Sequence, residues 1–248
     1  DYTDKNISIG DLINKDLKHF SKYDCERSVP SIVDGLKPGQ RKVIYAVIKR
    51  NLQKSIKVAQ LSAYVSEKTN YHHGEESLNL TIINLAANYV GSNNINLLVP
   101  EGQFGTRLQG GKDHASPRYI FTKMNQILPY IFNEHDNSIL NYLDDDGDPI
   151  EPEWFVPCIP MVLVNGVDGI GTGFSSKIPC YNPLDIIKNL RKKMKGEELD
   201  EMMPWYRGFT GKIEYEDDKN EKIISKGMYR TVKNNSIEIY ELPIGKWT

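Results

Sequence analysis

Four helical patterns come first along the chain. Over residues 8–23, Ile9, Leu12, Ile13, Leu17 and Phe20 recur at the helical period and share one face, with Pro30 beyond the end. The loop SVPSIVDGLKPGQ follows, with Asp-Gly and Pro-Gly turns. A second helix is predicted from Pro38, a residue suited to a first turn. Val43, Ile44, Val47 and Ile48 make its apolar face, and Arg41, Lys42, Lys49 and Arg50 occupy the others. Residues 58–68 repeat the pattern, with Val58, Leu61 and Val65 inward. After the loop NYHHGE, residues 76–90 place Leu78, Ile82, Leu85 and Tyr89 on one stripe that stops at Gly91.

The helical period then disappears. The stretch NINLLVPEGQFGTRLQGGKDHASPRYIFTKM carries Gly102, Gly105, Gly110 and Gly111 and reads as short strands joined by a flexible, polar loop. Helices followed by a β-hairpin are the pattern of a winged-helix DNA-binding fold, an outline that many small α+β domains share. The acidic stretch around 136–153 reads as a boundary. Beyond it, WFVPCIPMVLVNGVDGIGTGFSSKIP is rich in glycine and strand formers. A helix follows, with Asn182 as cap, Pro183 in its first turn, Ile186, Ile187, Leu190 and Met194 inward and Gly196 at its end. The tail alternates apolar and polar residues in KIEYE, KGMYRTV and SIEIYEL, with a turn at 217–220, which predicts an antiparallel meander. Lys246-Trp247-Thr248 comes straight after a strand and reads as a boundary inside a domain. No internal repeat is visible.

Composition narrows the class. In 248 residues, 39% are hydrophobic and 26% charged, which excludes disorder, collagen and coiled coil. No apolar run approaches the ~20 residues that span a bilayer, and the first residues lack the features of a signal peptide. Three scattered cysteines (Cys25, Cys158, Cys180) argue against a disulfide framework or a zinc site and for a reducing compartment, so the Asn-Leu-Thr at 79–81 is a chance sequon. The net charge of −2 hides an asymmetry. Residues 27–57 hold eight basic groups (Arg27, Lys37, Arg41, Lys42, Lys49, Arg50, Lys54, Lys57) against Asp34 alone, a local +7. Residues 135–155 hold seven acids and no Lys or Arg. The basic block suggests a polyanion-binding surface, the plainer reading being a solvated helix face.

Four segments carry candidate chemistry. In Ala115-Ser116-Pro117-Arg118-Tyr119 a tyrosine hydroxyl could attack phosphorus and form a covalent intermediate. It would need help to lose a proton of intrinsic pKa about 10, and cations to meet the charge developing on the phosphoryl oxygens. A neighbouring arginine, planar and bidentate toward phosphate, suits that task, although most of the 14 tyrosines should be packing residues. His72 and His73, adjacent and so divergent, suit a phosphate contact better than a shared metal, and a satisfied loop histidine is as good a reading. Asp144–Asp148 resembles a calcium loop but puts Tyr142 where the first ligand should be, so an acidic loop is the simpler reading. Gly169-Ile170-Gly171-Thr172-Gly173 lacks the Lys-Ser/Thr ending of a P-loop. Ile170 between glycines could instead wedge between base pairs, against a plain reading of strand packing.

Taken in order, ERSVP (26–30), VDGLKPGQRK (33–42), YHHGE (71–75), GQFGTR (102–107), SPRYI (116–120) and IGTG (170–173) resemble the breakage–reunion region of type IIA DNA topoisomerases of the eukaryotic kind. The resemblance covers nearly the whole chain. It implies an α+β fold: a winged-helix domain, helix-turn-helix plus β-hairpin wing, over residues 1–152, followed by the start of an α/β tower domain over 153–248. It implies that Tyr119 is the nucleophile forming a 5′-phosphotyrosyl link and freeing a 3′-hydroxyl, and that Arg118 steadies the scissile phosphate. Arg27 joins that catalytic set from either subunit. Lys37, Arg41 and Lys42 match basic positions along bound DNA, His72 and His73 the histidine pair beside the phosphate, and Ile170 the wedge that bends the duplex. At Ala87 the family pattern has a glutamine facing DNA.

The implied partners are double-stranded DNA and, in the full-length protein, a second copy as homodimer, without a membrane and in the nucleus. Mg2+ and ATP are implied for the full-length enzyme, the metal on a TOPRIM module and the nucleotide on an ATPase module, neither matched by this stretch. The chain alone is then expected to bind DNA without completing strand passage. A non-catalytic winged-helix module and an interaction scaffold are the alternatives on the residues alone.

Overall fold

The computed structural model describes residues 7–216, 222–233 and 236–248. The turn expected at 217–220 lies outside them. The first described element is one helical run: α1 (Ile9–Asp11), a π-helical turn (Leu12–Leu17) and α2 (Lys18–Ser28). It outlasts the expected end at 23 because Val29, held extended before Pro30, is the first residue to leave the helix. Ile9, Leu12, Ile13, Leu17 and Phe20 do share a face, but all five are exposed. The periodicity is genuine, and its cover is not within the described residues.

Three helices and a small sheet form the centre. They are α3 (Pro38–Arg50), β1 (Ile56–Lys57), α4 (Val58–Thr69), α5 (Glu75–Ala86), β2 (Leu98–Glu101) and β3 (Phe121–Met124). The strands are antiparallel in the order β1–β3–β2, with Leu98 opposite Met124 and Ile56 opposite Thr122. Pro100 is accommodated because β2 lies at the sheet edge, where a missing donor costs nothing. Val43, Ile44, Val47, Leu61, Val65, Leu78 and Ile82 are fully buried between these elements, each contributing roughly 1.5–3 kcal/mol.

Helix α5 ends at Ala86, short of the expected stop at Gly91. The Asn93 amide donates to the carbonyls of Asn84 (2.6 Å) and Ala87 (2.9 Å), and Leu97 N donates to Leu85 O (3.1 Å). The last-turn carbonyls are thus satisfied from outside the helix, which ends there.

After α6 (Leu128–Ile131), the acidic stretch is a hairpin, not a loop: β4 (Tyr142–Asp145) pairs with β5 (Asp148–Pro152). Asp146 and Gly147 both take positive φ, 53° and 91°, the two-residue turn whose twist suits paired strands. Next come α7 (Met161–Val164), the pair β6 (Val167–Ile170) and β7 (Ser175–Ile178), and α8 (Pro183–Lys195). Asn182 caps α8 by accepting from Leu184 N at 3.0 Å. Ile186 is buried, whereas Met194, expected inward, is 87% exposed because the last turn of α8 runs beyond the core. The tail forms two separate antiparallel pairs instead of one meander: β8 (Lys212–Tyr215) with β9 (Ile223–Lys226), and β10 (Met228–Val232) with β11 (Ser236–Glu241). Phe155, Met161, Val164 and Ile186 pack into the same hydrophobic core as α3, α4 and α5. Among the described residues no helix is long and apolar enough to cross a membrane.

Candidate nucleic-acid interface

The turn Ser116–Tyr119 closes on itself through Tyr119 N to Ser116 O, 2.9 Å. It is pinned to the start of α4, where Ala59 N donates to Pro117 O (3.1 Å) and Val58 N to Ile120 O (3.0 Å). Two N–H groups at the positive end of that helix are thereby satisfied by the segment that carries the tyrosine. Ile120 is buried and anchors the segment, while Arg118 is exposed and Tyr119 is 76% exposed.

The loop before this turn is folded, contrary to the flexible loop expected. Asp113 accepts from Thr106 N (2.8 Å), Thr106 Oγ1 (2.6 Å) and Gln103 Nε2 (3.2 Å), and Ala115 N donates to Gln103 O (2.9 Å). The Thr106 bonds hold the Asp113 carboxyl below the usual carboxylate range. At the far end of the loop, Arg107 pairs with buried Glu241 and donates to Leu242 O at 2.7 Å. The Trp247 ring lies against Gly110 and meets Tyr89 edge-on, 6.0 Å between centroids.

A second group gathers at the C-terminal turn of α2. Arg27 is exposed there. His73 is half-buried, its Nε2 3.0 Å from the Tyr23 hydroxyl and its ring edge-on to Tyr71 at 5.4 Å, while His72 is exposed. Burial pushes the pKa of His73 down, and the charges of Arg27, His72 and Lys42 push it further. Lys37 reaches the hairpin β6–β7 through its Nζ to Asp168 O, 3.2 Å. Ile170, at the end of β6, is 76% exposed. The wedge candidate, Arg27, His73 and Lys37 therefore cluster around one helix end and one hairpin. Among the described residues no hydrogen bond, ion pair or ring contact joins that cluster to Arg118 or Tyr119.

Two basic candidates are tied into the fold by ion pairs. Arg41 is buried, its Nε 2.7 Å from Asp34 Oδ2 and its guanidinium also bonded to Asp34 Oδ1 (3.0 Å) and Leu36 O (2.9 Å). Asp34 in turn accepts from Leu36 N and Phe155 N, both at 3.0 Å. This pair ties the loop before α3 to the segment after β5. Lys42 is tied between Thr69 O (2.6 Å) and Glu151 (2.8 Å). Both cations, expected along bound DNA, are paired here with buried carboxylates inside the fold. Ala87 is 4% exposed, so this position faces the core, not a ligand. Sequence reasoning missed Tyr23, Asp24 and Glu241, and the partner of Thr172, because the residues they pair with lie far away along the chain.

The described residues contain no group of three or more His, Cys, Asp or Glu side chains placed to hold a metal ion. Residues 27–248 match the family model for the A-subunit of DNA gyrase/topoisomerase IV. The chain is 56% identical over 244 residues to DNA topoisomerase 2 of Drosophila melanogaster, covering 98% of the chain and 17% of that relative. It is 52% identical over 248 residues to DNA topoisomerase 2 of Saccharomyces cerevisiae, covering 100% of the chain and 17% of that relative. A crystal structure of the Plasmodium falciparum topoisomerase II DNA-binding, cleavage and re-ligation domain superposes with a TM-score of 0.91 at 51% identity, over 100% of this chain and 34% of that one. The chain thus spans about a sixth of the length of these curated relatives, and it belongs to the DNA gyrase/topoisomerase IV A-subunit family, among the type II DNA topoisomerases.

Proposed function

We propose that this chain carries the DNA cleavage and religation chemistry of a type II DNA topoisomerase, with Tyr119 as nucleophile. The observation that carries this reading is the Ser116–Tyr119 turn: an exposed tyrosine beside an exposed arginine, held by two backbone bonds at the positive end of α4. A phosphodiester beside Tyr119 would meet the Arg118 guanidinium. The Tyr119 oxygen forms a bond to phosphorus and the bond from phosphorus to the DNA 3′ oxygen breaks. The phenolic proton passes to water and the departing oxygen takes one up. The link to the 5′ phosphate conserves the phosphodiester, so the 3′-hydroxyl reseals the strand by the reverse step without fresh ATP.

In this proposal residues 1–152 are a winged-helix breakage–reunion domain, and residues 153–248 are the start of a tower. Phe155, Met161, Val164 and Ile186 make the junction continuous with the first unit's core. Arg27, Lys37, His72 and His73 meet the DNA backbone and Ile170 enters the duplex. The full-length protein works as a homodimer in the nucleus. The exposed apolar face of α1–α2 supports a site completed between two copies. ATP and magnesium act on other modules, and this chain alone binds DNA without completing strand passage.

The test is a duplex-binding titration of the purified chain in rising salt, alongside a strand-passage assay with ATP. Salt-sensitive, sequence-tolerant binding is expected. ATP-dependent strand passage by the isolated chain, or no DNA binding at low salt, overturns the proposal.

A further inference from the structure

Hairpin β6–β7 lies across the end of α2. Asp24 Oδ2 accepts two bonds from Thr172, from its backbone N at 2.8 Å and from its Oγ1 at 2.7 Å. The neighbouring Cys25 Sγ donates to Thr172 O at 3.4 Å. The Thr172 hydroxyl is the largest influence holding the Asp24 carboxyl below the usual carboxylate range. Along β6 exposure alternates, with Gly169 toward the protein and Ile170 toward solvent. A Cβ on Gly169 would stand 2.6 Å from Ser28 O, and one on Gly171 3.0 Å from Cys25 Cα. The absence of side chains on both sides of Ile170 lets the hairpin backbone sit directly on the helix.

A two-stranded ribbon is only marginally stable alone. A side chain that parts a base step costs a few kcal/mol of stacking, and the duplex pushes back on whatever carries it. A wedge on a free hairpin would be displaced before it parted the bases. Here the hairpin is fastened to α2 one turn before Arg27 by two bonds to a carboxylate, stronger than neutral ones.

We propose that Asp24 is a positioning residue that latches the Ile170 hairpin to α2 through Thr172, fixing the wedge at a set offset from Arg27. The proposal rests on the reading of Ile170 as a DNA wedge. One rigid unit then engages both a phosphate and a base step, so bending of the duplex is tied to the placement of Arg27.

The test uses the chain as it stands and duplexes with 2-aminopurine scanned through the sequence. Fluorescence reports unstacking, and anisotropy on the same samples reports affinity. The parent protein should brighten the probe at defined steps. Asp24→Ala and Thr172→Val should lose most of that gain while affinity at moderate salt stays within about threefold, since most phosphate contacts remain. Thr172→Ser, which keeps the hydroxyl, should retain it. Thermal melts check that each variant is folded. If Asp24→Ala and Thr172→Val keep the gain that Ile170→Ala loses, the latch is wrong. If Ile170→Ala keeps the gain, or the parent shows none, the wedge reading beneath it has failed.

Discussion

Tyr23 and His73, 50 residues apart in the sequence, meet with the phenolic oxygen 3.0 Å from Nε2. The contact joins α2 to the loop between α4 and α5 and fixes the imidazole beside Arg27. Burial holds the pKa of His73 below the ordinary 6.5, with the Arg27 charge as the next cause. A depressed histidine resists charging in the folded state, so the unfolded chain takes up the proton first. This contribution to stability is complete above pH 6.5 and is lost as the pH falls from there through the folded pKa. NMR titration should place His73 below 6.5, and Arg27→Ala should raise it. Titration above 6.5 would contradict the burial.

Arg41 and Arg118 should separate cleanly. Removing Arg41 leaves Asp34 buried and uncompensated, so Arg41→Ala should cost about 3–5 kcal/mol in urea unfolding. Arg118→Ala should leave stability within about 0.5 kcal/mol and lower cleavage about a hundredfold or more, as loss of a charge-stabilising donor does. Unchanged stability in Arg41→Ala would return that residue to the surface.

Salt dependence separates the basic residues further. Removing one cation from the phosphate backbone should reduce the slope of log affinity against log salt by about 0.9. Arg27→Ala and Lys37→Ala should each show that reduction. Lys42→Gln should not, because its ammonium is already held by Glu151 and Thr69 O. A reduced slope for Lys42→Gln would mean that the ion pair opens on DNA.

The folded loop before Tyr119 depends on a tight contact at Gly110. A Cβ there would stand 2.5 Å from the Trp247 ring. Gly110→Ala should destabilise by about 1–3 kcal/mol, the usual cost of overpacking. Adding Trp247→Ala should recover part of that cost in a double-mutant cycle, whereas strictly additive effects would place the indole elsewhere.

Much of this was legible in the chain. The 3.6-residue period located α3, α4 and α8 closely, since those helices bury a stripe. The same period in residues 9–20 gave a helix yet no sign that its stripe stays uncovered, because periodicity reports a face and not what covers it. The Asp146-Gly147 hairpin was masked by its charge: runs of acid read as loop although the Asp-Gly pair is a turn signal. Among candidate site residues, contiguous strings drew attention to Arg118, Tyr119, Arg27 and Ile170. A charge count treated Arg41 and Lys42 as free, since Glu151 lies far off in sequence and the lone Asp34 was set against the whole block instead of one partner. The pairing of Asp24 with Thr172, 148 residues apart, carried no local signal, although Thr172 lies in the IGTG string.

The role of Tyr119 can be read from a covalent adduct. The chain would be joined to the TOPRIM module of a relative, supplied with magnesium and a nicked duplex, quenched with denaturant and digested for mass spectrometry. A DNA 5′-phosphate linked to the peptide containing Tyr119, absent in Tyr119→Phe while DNA binding persists, is the expected result. An adduct on another residue, or cleavage that survives Tyr119→Phe, would contradict it.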